Sequence, residues 1–168
     1  MDSTDLDGKT REDMVRRAWY AHDARWFAAV AAEYGMEVAN RLNRAAVRAV
    51  GQIEAGRLAR ALGKQRAGNV EEFLEFLKGG LDLYVAAPLM DMDIRKIDER
   101  SYEVTVNDCF VHTNIAKAGI TDTYECAVWD RVQGYHEALG QSLEDGQLPG
   151  ATCVRARGQE CRRVLTIK

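Results

Sequence analysis

The sequence lacks the features that mark membrane and secreted proteins. It contains no stretch of about 18 uncharged apolar residues, and no basic segment followed by an apolar one at its N-terminus. We therefore expect neither a membrane span nor a secretory signal, and a cytoplasmic protein without a membrane partner. The signals of several enzyme classes are also missing: a glycine-rich phosphate loop, a GxSxG elbow and a carboxylate pair spaced for acid–base work.

Histidine is scarce, with three residues in a chain of 168. The pair His22-Asp23 is typical of metal-dependent phosphohydrolases, but those enzymes need several more ligands than His112 and His136 can supply. Basic residues are also limited: the net charge is −3, and the small basic cluster over 155–168 predicts a solvated strand face. We expect no nucleic-acid partner.

Cysteine is missing from the first 108 residues, and all four cysteines lie between Cys109 and Cys161. In a reducing cytosol, clustered thiols are more often metal ligands or catalytic groups than disulfides. Cys153 and Cys161 bracket Gly158 within two short alternating runs, which predicts a hairpin that brings both sulfurs together. Cys126 is expected in the first turn of a helix, where free N–H groups favour the thiolate.

We predict that these cysteines hold one metal ion. Zinc prefers four tetrahedral thiolate or imidazole ligands in structural sites. The predicted ligands are Cys109, Cys126, Cys153 and Cys161, with His112 in reserve. Their spacing is not a CxxC signature, so on spacing alone a metal site and a set of small buried core residues are equally good interpretations.

The hydrophobic pattern predicts helices first and strands afterwards. Residues 1–10 are polar and acidic, which predicts a disordered lead-in to a single domain over 11–168. Helical periodicity predicts helices over 11–34, 36–62, 71–80 and 121–139. Residues 108–120 are expected to be irregular or a single turn. Alternation predicts strands over 81–87, 90–97, 101–108, 151–157 and 160–167. The fold class is α+β: N-terminal helices, then a mostly antiparallel sheet with one inserted helix and a C-terminal hairpin.

The first predicted helix carries large side chains at helical spacing, namely Val15, Trp19, His22, Trp26 and Val30. A second apolar stripe beside this one implies burial on more than one side. His22 is expected to be a buried hydrogen-bond donor, and a ligand pocket is expected to be lined by Trp19, His22 and Trp26. The second helix would be about 40 Å long, which exceeds the width of a small domain, so we expect part of it to pack on a second copy in a homodimer.

The run WYAHDARWFAAVAAEYGMEVANRLN and the later order of cysteines around Gly119 resemble a bacterial family named for L-2-amino-thiazoline-4-carboxylic acid hydrolase. Most of that family is uncharacterised, and the resemblance covers nearly the whole chain from about residue 11. It implies a hydrolase that acts on a cyclic thiazoline or amidine. The nucleophile would be a metal-bound water or Cys126.

The last third is similar to the 4-vinyl reductase-like ligand-binding domain, which also senses aromatic effectors in transcription activators. The matching residues are Cys126, Gly134-Tyr135, Cys153, Gly158 and Cys161. The resemblance implies that the three cysteines bind zinc, with a glutamate three residues before the middle one. Gly150 stands at that position, so the fourth ligand must come from elsewhere, and Cys109 is the natural candidate. An all-thiolate site also suits iron or an iron–sulfur cluster.

Three functions remain open at this point. The first is a small-molecule-binding domain with a structural zinc ion, the second is the hydrolase, and the third is a thiol-based metal or redox sensor. The number of ligands separates the first two. Four protein thiolates leave no open position on the ion, whereas three thiolates and a water would permit catalysis.

Overall fold

The structure is a computed structural model that describes residues 5–86, 89–146 and 152–168. Within these residues the α+β class is confirmed, with helices at the N-terminal side followed by an antiparallel sheet. The elements are α1 (Gly8–Tyr34), α2 (Met36–Ala61), α3 (Val70–Gly80), β1 (Met90–Lys96), β2 (Ser101–Cys109), α4 (Phe110–Lys117), α5 (Val128–Ala138) and β3 (Cys161–Thr166). None of the described helices is both long and apolar enough to cross a membrane.

The chain divides into two compact units, Met1–Ala39 and Asn40–Lys168, so that the division falls inside α2. The first unit consists of α1 and the first residues of α2. The Asp7 carboxylate accepts a hydrogen bond from the Thr10 N–H at 2.9 Å and caps α1. The helix therefore begins at Gly8, inside the predicted lead-in, of which residues 1–4 lie outside the described part of the chain. Gly35, with a φ of 84°, follows the last residue of α1, so that the helix ends at residue 34, the predicted bound.

The second unit is built on a sheet with the order β1-β2-β3, antiparallel throughout. The β1–β2 hairpin turns at Asp98, whose carboxylate accepts hydrogen bonds from the N–H groups of Arg100 and Ser101 at 2.8 and 2.7 Å. Inward-facing strand residues and the apolar sides of α3 and α5 form the core. Its largest fully buried side chains are Phe73, Leu77, Tyr102, Tyr135, His136, Leu139 and Leu165.

The packing of α5 on α2 depends on two glycines. A Cβ atom added at Gly51 of α2 would collide with the carbonyl oxygen of Arg131, and one added at Gly134 of α5 would collide with the carbonyl oxygen of Arg48. The two backbones can approach this closely only because neither glycine has a side chain. Next to this contact, the buried Glu54 carboxylate accepts two hydrogen bonds from the Arg131 guanidinium.

Two predicted strands are wrong. Residues 81–87 were expected to be a strand, but Leu81–Val85 form a π-helix that continues α3, while Ala87 lies outside the described residues. Gly80 does not stop the helix, because its φ of −69° is helical. The strand expected over 151–157 is replaced at Val154–Arg157 by a 3₁₀ helix, so no hairpin joins Cys153 to Cys161. Instead, Cys161 pairs with Val106 of β2.

Two helices differ from the prediction in their bounds. The segment expected to be irregular after Asn107 contains α4, which has eight residues. The last helix, α5, begins at Val128 and not at Thr121. The cause of the late start is Asn40 of α2, whose side-chain amide donates to the Thr123 carbonyl at 2.7 Å and accepts from the Glu125 N–H at 3.0 Å. These two hydrogen bonds hold residues 123–125 outside the helix.

Candidate metal centre

Two of the four cysteines lie at the same end of the sheet. Cys109 is the last residue of β2 and the N-cap of α4. Cys161 is the first residue of β3 and pairs with Val106, three residues before Cys109 on β2. Because β2 and β3 are antiparallel, the end of one strand lies beside the start of the other.

The other two cysteines are brought together by an isolated antiparallel bridge between Glu125 and Thr152. Cys126 and Cys153 each follow one residue of this bridge directly. Their two segments are distant in sequence, so the bridge is a tertiary contact that no local pattern signals.

The segment that carries Cys153 also contacts α4 and β2. The Cys153 Sγ lies 3.7 Å from Nδ1 of His112, on α4. The Arg155 guanidinium, in the 3₁₀ helix, donates to the carbonyl oxygens of Val106 and Asn107 at 2.7 and 3.0 Å. These contacts attach the segment after Cys153 to the strand end that carries Cys109 and Cys161.

The four thiols lie within electrostatic reach of one another, and we call them the cysteine cluster. Burial, together with the charges of the other three cysteines, raises the pKa of Cys126 to about 12. Burial also raises the pKa of Cys109 and of Cys161, and the charge of Cys153 raises both as well. Without a cation, the thiols of Cys109, Cys126 and Cys161 are therefore neutral at pH 7.

Backbone N–H groups partly oppose these shifts. The N–H groups of Val111 and His112 lower the pKa of Cys109, although no capping hydrogen bond of ordinary length forms, and the Val128 N–H lowers the pKa of Cys126. Amide donors directed at sulfur stabilise a thiolate and are a usual outer shell of metal–thiolate sites.

The four thiols lie near one another, but they are not arranged as the ligands of one metal ion. Across residues 5–86, 89–146 and 152–168, no three cysteine, histidine or acidic side chains form a group that could hold a metal ion in this conformation. The charge of a bound metal ion is what favours the convergence of four thiolates to ligand distance.

The part of the chain that matches a known family contains two of the four cysteines. Residues 10–137 match a family of unknown function, DUF6125. The chain belongs to this family. The match includes Cys109 and Cys126 and ends before Cys153. No curated protein and no solved structure matches the chain. The resemblances to the thiazoline hydrolase family and to the 4-vinyl reductase-like domain stay predictions.

Two details of the predicted centre are wrong in this DUF6125 chain. Cys126 does not lie in the first turn of the last helix but two residues before Val128, where α5 begins. Burial raises its pKa, and the Val128 N–H at the start of α5 opposes this rise only in part. Gly150, which the predicted resemblance aligns with a glutamate of the sensors, lies outside the described residues.

The aromatic residues predicted to line a pocket are exposed. Trp19 and Trp26 are 56% and 51% exposed, and no residue of α1, which is described throughout, is buried. His22 is exposed as well, with its ring stacked beside that of Trp19 at a centroid distance of 6.4 Å. The expected burial of His22 is therefore wrong, and the pocket stays a prediction.

Sequence reasoning missed the one buried histidine among the described residues, His136 of α5. Its Nε2 lies 2.7 Å from the Tyr102 hydroxyl, and its ring stacks on Phe73 at a centroid distance of 3.8 Å. Burial lowers the pKa of His136 to about 3, so the ring is neutral. The strand alternation signals burial of Tyr102, but nothing in the sequence pairs that residue with His136.

Surface clefts formed by described residues of the second unit include a larger and a smaller one. One, of about 470 Å³, runs along α2 and is lined mainly by arginines and by the acidic residues that pair with them, including Arg44 with Asp130. The other, of about 280 Å³, lies beside the C-terminal end of α5 and is lined by polar residues such as Gln133, Gln141 and Ser142. Neither cleft contains a member of the cysteine cluster.

Proposed function

We propose that this DUF6125 protein is a small-molecule-binding domain in which the cysteine cluster holds one structural zinc ion. The ligands are Cys109, Cys126, Cys153 and Cys161. The observation that carries the proposal is the meeting of all four cysteines of the chain at one end of the sheet, although they come from four separate segments. Chance placement of small core residues gives no reason for such convergence.

The donor set suits zinc. Soft thiolates favour zinc over magnesium or calcium, and four of them complete a tetrahedral shell. A divalent cation also reverses the pKa argument: it favours the thiolate at each ligand and so compensates the burial that raises the pKa of Cys109, Cys126 and Cys161. The N–H groups directed at Cys109 and Cys126 support the same charge state.

A zinc ion bound by these cysteines would cross-link four segments of the chain. It would join the β2–α4 junction, the segment before α5, the 3₁₀ helix and the start of β3. Residues 152–160, between the bridge at Thr152 and β3, form no longer element than a four-residue 3₁₀ helix. Their position would then depend on the ion, because a metal bound by the folded state contributes its binding free energy to folding.

A hydrolase is the second candidate, and the position of His112 favours it specifically. With Nδ1 at 3.7 Å from the Cys153 Sγ, His112 is close enough to replace one thiolate. A site made of thiolates and His112, with water as the fourth ligand in place of one thiolate, would have an open position. The metal could activate that water for attack on a thiazoline or amidine. A thiol-based metal or redox sensor is the third candidate, and iron or an iron–sulfur cluster remains the alternative to zinc.

We further propose a cytoplasmic location, because the reducing cytosol keeps four neighbouring thiols available for metal. In an oxidising compartment, neighbouring thiols would instead form disulfides. The ligand of the domain is proposed to be a small molecule, and neither nucleic acid nor membrane is proposed as a partner.

The test is elemental analysis of the full chain purified without chelator, followed by the same analysis on four single Cys→Ser variants. We expect one zinc per chain in the wild type and its loss in each variant. His112→Ala is the matched control: a closed thiolate site retains its zinc in this variant, whereas a site that uses His112 loses it. Full zinc retention in Cys109→Ser would contradict the four-thiolate assignment, and a brown protein that absorbs visible light would replace zinc by iron.

A further inference from the structure

The longest helix of the chain, α1, exposes a stripe of large apolar side chains. Val15 is 72% exposed, and Trp19 and Trp26 are 56% and 51% exposed. Side chains of this size usually supply core or interface contacts, and an apolar stripe on a helix is stabilised by burial against a partner. We therefore expect a binding partner to cover the stripe.

The stripe occupies one face of the helix. Its members, Val15, Trp19, His22, Trp26 and Val30, follow one another at intervals of four, three, four and four residues. With 3.6 residues per turn, these five positions span about 80° of the helix circumference. The alternation of three and four is also the spacing that lets one helix pack along another over several turns.

The two valines and two tryptophans of the stripe are placed symmetrically along the helix, at intervals of four, seven and four residues. About a point between His22 and Asp23, Val15 is the counterpart of Val30, and Trp19 is the counterpart of Trp26. A surface with this symmetry is complementary to a second copy of itself that runs antiparallel, because a two-fold axis through the midpoint exchanges equivalent residues.

We propose that two copies of this protein pack α1 against α1 in antiparallel orientation, with the two-fold axis between His22 and Asp23. In this arrangement Val15 contacts the partner's Val30, and Trp19 contacts the partner's Trp26. At the centre, the His22 ring lies beside the partner's Asp23. The occupant of the stripe is thus a second copy of the chain, and the contact is isologous.

The charge distribution along α1 favours the antiparallel orientation. Residues 8–20 contain four basic and two acidic side chains, whereas residues 21–34 contain one basic and two acidic side chains. Antiparallel pairing places the basic half of each helix against the acidic half of its partner. Parallel pairing would place the two basic halves together, which is unfavourable.

The size of the stripe sets the expected strength of the dimer. The exposed parts of its two tryptophans and two valines amount to roughly 400 Å² per copy, about half of a standard protein–protein interface. We therefore expect a dimer that dissociates on dilution and not an obligate one. This contact lies on α1, and it is separate from the prediction that the long α2 packs on a second copy.

The first experiment measures the mass of the full chain by sedimentation equilibrium over a hundredfold range of protein concentration. We expect the mass to rise from that of one copy to that of two. Trp19→Glu is expected to raise the dissociation constant at least tenfold, since it places a charge in the centre of the stripe. Met14→Glu is the matched control, because Met14 is 57% exposed on the same helix but points about 100° away from Val15. The Met14→Glu variant is expected to dimerise as strongly as the wild type.

The second experiment tests the antiparallel register by mixing two weakened variants, Trp19→Glu and Trp26→Lys. In the proposed dimer the new glutamate of one copy faces the new lysine of the other, while the second pair of positions keeps both tryptophans. We expect the mixture to dimerise more tightly than either variant alone. A parallel arrangement places each new charge against a tryptophan, so that failure of the mixture to dimerise would overturn the register.

Three other outcomes would overturn the proposal. The first is a wild-type mass that does not change with concentration, together with a lower melting temperature of Trp19→Glu at unchanged mass. This result would mean that the stripe is covered within one copy. A dimer that is equally strong in Trp19→Glu would place the interface elsewhere. Sedimentation of a monomeric wild type with phosphatidylglycerol vesicles would make the occupant a membrane. If Trp19→Glu fails to fold by circular dichroism, Trp19→Ala replaces it with the same expected direction.

Discussion

The Tyr102 hydroxyl lies 2.7 Å from Nε2 of His136, and both side chains are buried, at 0% and 1% exposure. Phe73 stacks on the imidazole from one side. The other ring nitrogen, Nδ1 of His136, is also buried, and no residue in the described part of the chain forms a hydrogen bond with it. The pair is therefore a polar contact inside an apolar core, and protonation of the imidazole would place an unpaired charge there.

This pair predicts a loss of stability at mildly acidic pH. The pKa of His136 is about 3 in the folded protein and 6.5 in the unfolded chain, so the unfolded state binds more protons between these values. Stability is complete above pH 6.5 and falls as the pH decreases toward 3, by up to about 1.4 kcal/mol per pH unit. Urea unfolding at pH 7.5 and pH 5 measures this slope.

The matched variant for this measurement is His136→Gln, which keeps a hydrogen-bonding group beside Tyr102 but does not titrate. Its stability should depend less on pH between 6.5 and 5 than that of the wild type. An identical slope in both proteins would assign the acid sensitivity to other groups.

The close contact between α2 and α5 predicts a strong effect of single methyl groups. Gly134→Ala places its Cβ against the backbone of Arg48, which cannot move without shifting α2, and should destabilise the fold by about 3 kcal/mol. Gly56→Ala is the control on α2, because nothing lies within 4 Å of its added Cβ. This control should be stabilising by about 0.5–1 kcal/mol through helix propensity. Thermal or urea unfolding measures the stability change of both variants. Equal changes would contradict the close contact between α2 and α5.

The ion pair between Glu54 and Arg131 predicts non-additive mutations. Glu54 is 6% exposed, and burial raises its pKa while the charge of Arg131 opposes that shift. Arg131→Met alone leaves the carboxylate without this partner and should cost about 3 kcal/mol. The double variant Arg131→Met with Glu54→Leu should be less destabilised than Arg131→Met, because it removes the buried charge as well. A double-mutant cycle by urea unfolding checks the sign of the coupling.

The thiol of Cys126 is predicted to react slowly in the metal-free protein. With a pKa of about 12, its thiolate fraction at pH 8 is about a thousandfold below that of an ordinary cysteine. Alkylation by iodoacetamide, followed by peptide mass spectrometry, should label Cys126 rapidly only after unfolding in urea. Rapid labelling of the folded, metal-free chain would instead support Cys126 as an activated nucleophile and favour the hydrolase.

Local patterns predicted much of the secondary structure. The helix over Met36–Ala61 and the strands Met90–Lys96, Ser101–Cys109 and Cys161–Thr166 were expected within a few residues. Asn69 caps α3, because its side-chain oxygen accepts a hydrogen bond from the Glu72 N–H at 2.9 Å. These features depend on periodicity and on contacts within one turn, which a single sequence carries.

The errors arose where a distant residue decides the local conformation. The third helix was expected to end at residue 80, but the chain stays helical there, and a Cβ added at Gly80 would collide with the Tyr135 ring of α5. Asn40 holds the residues before α5 outside the helix, through hydrogen bonds that cross more than 80 positions of sequence. Neither contact leaves a periodic signal near the residues it affects.

The sequence by itself determined that the chain is an α+β protein and that its thiols are confined to residues 109–161. It also determined the symmetric stripe of α1, which depends on helical spacing alone. Only the tertiary structure decided how the cysteines meet: the bridge at Glu125 and Thr152 and the pairing of Val106 with Cys161, and not a hairpin, place them together. The physical reason is that such contacts join segments far apart in the chain, and a thiol's neighbours and pKa follow from those contacts and from burial.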